Sequence, residues 1–481
     1  METLLAYLSL GVLLFAIPTA LLLCRDAQNR APLGFVLAVA AALMTGGLSL
    51  VMLWMGLLGI SFAPAAILIV LLGLMLPGIY LCWRQRPELI WAWPRGGQLF
   101  VFGLLVAIAA VILIDAALWP FFRDDAAAIY QPQAAQIVGL GGLIPLQGQN
   151  TLYEAYPMLI QLNYSFVYLA SGWENDYLAK LISAILAVAC LPAVFQLGKR
   201  MGGESAGWMA ALLLGLMPTF GSWATAGYTD LPMALFLTLA VVFGIRLWDS
   251  ASKTDALAFG IALGLAAWTK NNALIAMPAF GLWLLLALWR RRINWLHIVI
   301  AAIAALLIAA PWYLRNLLGA NMLIPPTAWT DQAERTAESL FIFLVLFGTY
   351  GITGWLMVLG AVDALITIFR RRWEAAPQFF ILLVAALFFA AWWLFASYDE
   401  RFLLAILPML CALAGVFVMR VWQWLPAQIQ PLARWAATAG ALILTLYVLW
   451  NTLEYKDNLL RQPLMSDAER RTTVGREVTP P

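Results

Sequence analysis

Along the chain, runs of apolar residues alternate with short segments that carry nearly all of the charge. About twenty apolar residues wound as a helix span the hydrocarbon of a bilayer, and by that rule the pattern predicts about fourteen spans. They centre near Leu13, Met44, Val70, Ile108, Ala187, Leu213, Leu239, Leu263, Trp283, Ala304, Met357, Leu387, Leu410 and Leu444. Three of these fall in 1–98, ten in 99–420 and the last in 421–481, which ends in a short tail from Glu454. Two inter-span segments are long: Phe121 to about Tyr177, and Trp312 to about Glu338. Loops of that length usually hold structure or function. The first carries a helical pattern from Asp125 to Val138 that is expected to lie at the membrane interface.

Lysine and arginine fix the orientation. One alternate set of loops holds Arg25, Arg30, Arg84, Arg86, Arg95, Lys199, Arg200, Arg246, Lys253, Arg290, Arg291, Arg292, Arg370, Arg371, Arg372, Arg420 and Arg434. The other set holds Arg123, Lys180, Lys270, Arg315, Arg335 and Arg401. The asymmetry, 17 against 6, predicts that the first set is cytoplasmic and both termini are outside. Acidic residues show the reverse skew, among them Asp124, Asp125, Glu154, Glu174, Asp176, Asp230, Asp331, Asp399 and Glu400 on the outer side. Acidic residues contribute little to topology, so this skew points to chemistry on the outer face.

Composition agrees with a polytopic all-α membrane protein. Hydrophobic residues make up 64% and charged residues 11%, and the mean hydropathy is +0.87, far from the balance of a soluble domain. A net charge of +3 gives no reason to expect nucleic acid. Cys24, Cys82, Cys190 and Cys411 lie in or beside apolar runs and form neither a disulfide framework nor a paired-cysteine metal motif. The N-terminal METLLAYLSL lacks a basic n-region and is not expected to be a cleaved signal peptide. His297 is the only histidine, and no phosphate-binding Gly-rich loop is present, so neither a histidine base nor loop-bound ATP is expected.

The stretch FFRDDAAAIYQPQAAQ places Asp124 and Asp125 at the outer lip of a span. One of them can cap the following helix, but a cap needs only one. A second carboxylate under the loop is costly unless it has a partner or a task, and deprotonating an acceptor is the natural task. Lys270 in AAWTKNNA, Arg315 in PWYLRNLL and Arg401 in SYDERFLL lie on the same side. Each either pairs with a nearby acid, as Arg401 with Asp399 or Glu400, or serves a phosphate clamp. Asp230 in AGYTDLPM opens a helix, where it or Thr229 acts as a cap or as a substrate contact. Asp115 and Asp363 sit inside spans with no assigned role, and Trp119, Trp223 and Trp312 are candidates for stacking on a sugar.

In order and spacing, these segments resemble the GT-C superfamily of membrane glycosyltransferases, especially the bacterial relatives of protein O-mannosyltransferases and lipid A aminoarabinose transferases. The resemblance is carried by RDD, by LIPLQGQNTLYEAYPMLIQLNYSFVYLASG, by YTDLPMALFLTLAVVF, GLAAWTKNNALI and PWYLRNLLGANMLIPP, and by DERFLLAILPMLCALAG. It covers about 99–420, which would then be the catalytic core, with 1–98 as three additional helices. It implies a polyprenyl-phosphate-linked sugar donor, an acceptor lipid, glycan or protein, and a site facing the outside of a bacterial plasma membrane. It assigns Asp124 or Asp125 as base, Lys270, Arg315 and Arg401 as donor-phosphate contacts, and Glu154, Tyr156 and Asp230 as substrate contacts. No metal ligand is assigned, although some branches are metal-dependent, and a divalent metal stays open. The chain has Asp-Asp where the family more often has Asp-Glu, and Tyr156-Pro157-Met158 where it usually has Tyr-Pro-Pro. The rival expectation is a secondary transporter or flippase for a lipid-linked or anionic solute. That reading predicts internal repeats and mid-membrane charges, whereas the charges here gather on one face.

Overall fold

The structure is a computed structural model, and it describes residues 13–146, 153–325, 330–456 and 461–475. The N-terminal METLLAYLSL and position 149 of the first long inter-span segment lie outside the described residues. Among these residues the chain is almost wholly helical, with one two-stranded parallel ladder pairing Arg30–Pro32 with Glu88–Ile90. Ten helical segments among them are long and apolar enough to cross a membrane, counting Phe347–Phe395 as one. Helical backbone bonds within each segment explain why such runs are stable in lipid, where an unpaired amide has no water to turn to.

Every predicted centre falls inside a helix, but not every helix is a full span. Leu13–Cys24, Glu204–Gly215 and Lys253–Thr269, of 12, 12 and 17 residues, are not among the ten. Glu204–Gly215 stops where Pro218 starts a second short helix, Pro218–Ala224, because proline cannot continue the ladder behind it. The middle of the protein is helix Asp230–Ser250, whose most apolar window is entirely buried by its neighbours. It packs against Asp176–Gly202, against Lys253–Thr269 and against the short 3-10 helix Glu400–Ala405. It therefore carries Asp230 at one end of the bundle and Arg246 at the other.

The first long inter-span segment is built, not loose. Asp125 precedes a single π-helical turn, Ala126–Tyr130, which runs into helix Gln131–Leu140. After the undescribed residues, helix Leu159–Ser171 dips back among the spans. At thirteen residues it reaches about 20 Å, too short to cross. Nearly all of it is buried, and Asn163 donates to the Thr45 carbonyl at 3.0 Å and Ser165 to the Ala134 carbonyl at 3.2 Å. The tail also returns to this face: Glu454 pairs with Arg123, and Arg471 of helix Asp467–Thr473 meets Asp176 at 3.2 Å.

Candidate active site at one end of the bundle

Four of the predicted residues converge. The Arg401 guanidinium lies at the centre, with Nη1 2.9 Å from Asp125, Nη2 3.1 Å from Asp399 and Nε 3.8 Å from Asp230. Lys270 places its ammonium 2.6 Å from the other Asp230 oxygen. Only a planar fork of fixed donors reaches three carboxylates on three segments this way. Trp223, Tyr228 and Phe402 surround the guanidinium, with ring centroids 5.3, 4.6 and 5.3 Å away, and Phe402 also faces Lys270 at 4.7 Å. Aromatic faces attract a cation that has been withdrawn from water.

Local structure explains each position. Asp125 does not cap the helix it precedes; its backbone N–H donates to the Tyr228 hydroxyl at 3.0 Å, and its carboxylate turns to Arg401. The Asp124 side chain is exposed and makes neither ion pair nor hydrogen bond among the described residues. Thr229 makes no side-chain cap for helix Asp230–Ser250 either, so the capping expectation fails there too, and Asp230 serves the two cations. The turn before it depends on Gly227, whose φ of +76° suits glycine. A side chain there would also strike Phe121, 2.5 Å from the position of its Cβ. Lys270 ends helix Lys253–Thr269 in extended conformation, and Asp399 accepts the Arg401 backbone N–H at 2.9 Å to start the Glu400–Ala405 turn.

The electrostatics follow from this crowding. Burial alone would lower the Arg401 pKa, but Asp230, Asp399, Tyr130 and Asp125 outweigh it, and the net shift is upward. Burial raises Asp399, against the pull of Arg401. Burial, joined by the charge of Asp125, pushes the Tyr228 hydroxyl up to about 12, so it stays protonated at neutral pH. Two polar atoms are left over inside the cluster: Asp230 Oδ2 and Arg401 Nε are buried without a hydrogen-bond partner. Among the described residues no group of three His, Cys, Asp or Glu side chains is placed to hold a metal; the three aspartates close on Arg401 instead.

Arg315 lies apart from this cluster in its contacts. It stacks over Trp312 at 4.3 Å and donates to the carbonyls of Ile144 and, at 3.4 Å, Glu154. Trp312 and Asn316 both donate to the Ala155 carbonyl, at 3.1 and 2.8 Å. Helix Trp295–Ala320 thus pins the segment that carries Glu154 and Tyr156. Tyr156 is half-buried, and its hydroxyl pKa is raised first by burial, then by Tyr153, Tyr398 and Asp125. Of the three candidate stacking tryptophans, Trp119 and Trp312 are fully buried and Trp223 retains exposure beside Arg401. His297 closes a capping box at the far end of helix Trp295–Ala320. Asp363 pairs with Arg420 at that same end, and Asp115 accepts the Glu454 backbone N–H at 3.0 Å. The sequence reading passed over Tyr228 and Phe402; the only signal was their place beside Asp230 and Arg401 in YTD and ERF.

The comparisons with known proteins agree with this architecture. Residues 157–314 match the family model for dolichyl-phosphate-mannose-protein mannosyltransferase. A lipid A galacturonosyltransferase, RgtD of Rhizobium johnstonii, is 26% identical over 278 residues, 57% of this chain and 55% of that protein. The match therefore spans about half the length of that relative. ArnT of Cupriavidus metallidurans, solved bound to undecaprenyl phosphate, superposes with a TM-score of 0.53 at 19% identity, over 78% of this chain and 73% of that one. The oligosaccharyltransferase of Archaeoglobus fulgidus in its apo form gives 0.50 at 11% identity, over 79% and 60%. The chain shares the fold of these two solved structures. It is a multi-pass membrane protein whose residues 157–314 are similar to that mannosyltransferase family.

Proposed function

We propose that the chain transfers a sugar from a polyprenyl-phosphate donor to an acceptor lipid, glycan or protein at the outer face of a bacterial plasma membrane. The observation that carries the reading is Asp125, held half-buried by Arg401 at the lip of the bundle. A carboxylate there is a base without a histidine. In a single displacement, Asp125 takes the proton of the acceptor as its oxygen attacks the anomeric carbon. The bond to the lipid phosphate breaks on the opposite side, and the sugar inverts. Lys270 and Arg401, whose Nε makes no hydrogen bond, meet the charge that grows on the departing phosphate. Arg315 acts at one remove, by holding the segment of Glu154 and Tyr156 in place. Support comes from the mannosyltransferase-type segment, from RgtD, named for transfer to lipid A, and from ArnT, solved with a polyprenyl phosphate.

The test separates an enzyme from a transporter. Protein in sealed vesicles supplied with polyprenyl-phosphate sugar should form a glycosylated acceptor. Solute counterflow without any product would overturn the reading.

The orientation is tested by labelling. Cys82 is the only native cysteine that is not buried, so a Cys82→Ser background isolates new thiols. Glu334→Cys should react with an impermeant reagent from outside intact cells, and Arg291→Cys should not; both positions are exposed. Labelling at Arg291→Cys would move the Asp125 site to the cytoplasmic face.

A further inference from the structure

At the end of the bundle opposite Asp125, helices Leu33–Leu57 and Gly97–Leu118 both pack against helix Asp176–Gly202 and leave a cleft between them. Its volume is about 770 Å³, within the range of small-molecule sites. Leu37 and Val106 stand on its walls half-exposed, so it faces the side of the bundle where acyl chains run. Trp91, Phe102, Trp208 and Phe195 form a continuous edge-to-face series along one wall, with centroids 6.2, 6.1 and 4.9 Å apart.

The mouth is cationic. Arg30, Lys199, Arg200 and Arg246 line it against Asp26 and Glu204. Three of the cations are already engaged: Arg30 with Asp26 at 3.5 Å, Arg200 with Asp249 at 2.9 Å and Arg246 with Asp255 at 2.8 Å. Lys199 is exposed and makes no ion pair among the described residues; its ammonium lies 5.8 Å from the Phe195 ring. The indole N–H of Trp208 is buried without an acceptor. The site thus offers an apolar slot, an uncommitted cation at headgroup depth and an unmet donor. Basic pockets between membrane helices take anionic lipid headgroups.

We infer that this cleft is a binding site for an anionic phospholipid, with an acyl chain between helices Leu33–Leu57 and Gly97–Leu118 and the phosphate at Lys199. The site is separate from the Asp125 cluster and does not depend on the proposed transfer reaction. Native mass spectrometry of the delipidated full chain tests it, with dioleoyl phosphatidylglycerol against dioleoyl phosphatidylcholine. Wild-type protein should retain the anionic lipid about fivefold more, the factor expected from about 1 kcal/mol per cation. Lys199→Glu should erase the preference. Lys253→Glu, an exposed change of the same charge at the same end, should keep it. Val106→Trp should fill the slot and reduce retention of both lipids. The proposal is overturned if Lys199→Glu, eluting as the wild type does, keeps the preference. It is overturned too if inorganic phosphate at equal concentration displaces the lipid, because the anion alone would then be the ligand.

Discussion

Asp125→Asn should lower sugar transfer by about 100-fold or more, whereas Asp124→Asn should keep most of the activity. Positioned bases typically supply about 10²–10⁴-fold, and the structure separates the two adjacent aspartates. Asp125 is fixed from two directions, by the Tyr228 hydroxyl at its N–H and by Arg401 at its carboxylate. Asp124 points to solvent without a partner among the described residues. Asn preserves the size of the side chain and the backbone contact to Tyr228 but cannot take the proton. The measurement is the initial transfer rate of purified variants that elute as the wild type does. A larger loss in Asp124→Asn would assign the base to Asp124, and full activity in both variants would place it elsewhere, with Glu154 next in line.

The second large effect concerns stability. Asp230 is essentially buried, with 1% of its side chain exposed, and it is the ion partner of Lys270. Asp230→Asn leaves that ammonium, 14% exposed, without a counter-charge. Removing one member of a buried pair costs about 3–5 kcal/mol, because the survivor remains buried and unpaired. Unfolding of Asp230→Asn in detergent should show a loss of that order. Asp230→Asn combined with Lys270→Met should recover much of it, since a well-packed apolar replacement for an ion pair is often neutral. A single variant as stable as the wild type would mean that water reaches Lys270 freely.

Much of the fold was legible because a membrane helix is specified locally. The run around Val241 reads as a span from its own apolarity, and the backbone has no alternative in lipid. The break after Glu204–Gly215 was not legible in the apolar count, which gives one span there, although its cause, Pro218, is local. The site was legible as a set of charged residues on one face, but its internal wiring was not. Which of two adjacent aspartates turns inward shows only in its contacts with Tyr228 and Arg401, distant in sequence, and composition does not encode it. The contacts of Arg315 were hidden for a different reason: its carbonyl partners at Ile144 and Glu154 lie far along the chain. A backbone carbonyl carries no side-chain signature, so Arg315 looked like Arg401 in sequence. Likewise, Arg401 was expected beside Asp399 or Glu400; it meets Asp399, but its contacts with Asp125 and Asp230 come from tertiary packing.

In the proposed reaction the donor arrives on a lipid and is used by Asp125. Purified protein in detergent with added phospholipid, given labelled polyprenyl-phosphate sugar in one reaction and the matching nucleotide sugar in another, tests it most directly. The account predicts a labelled acceptor from the polyprenyl-phosphate donor alone, and none from that donor with Asp125→Asn. Turnover of the nucleotide sugar without any polyprenyl phosphate would contradict it.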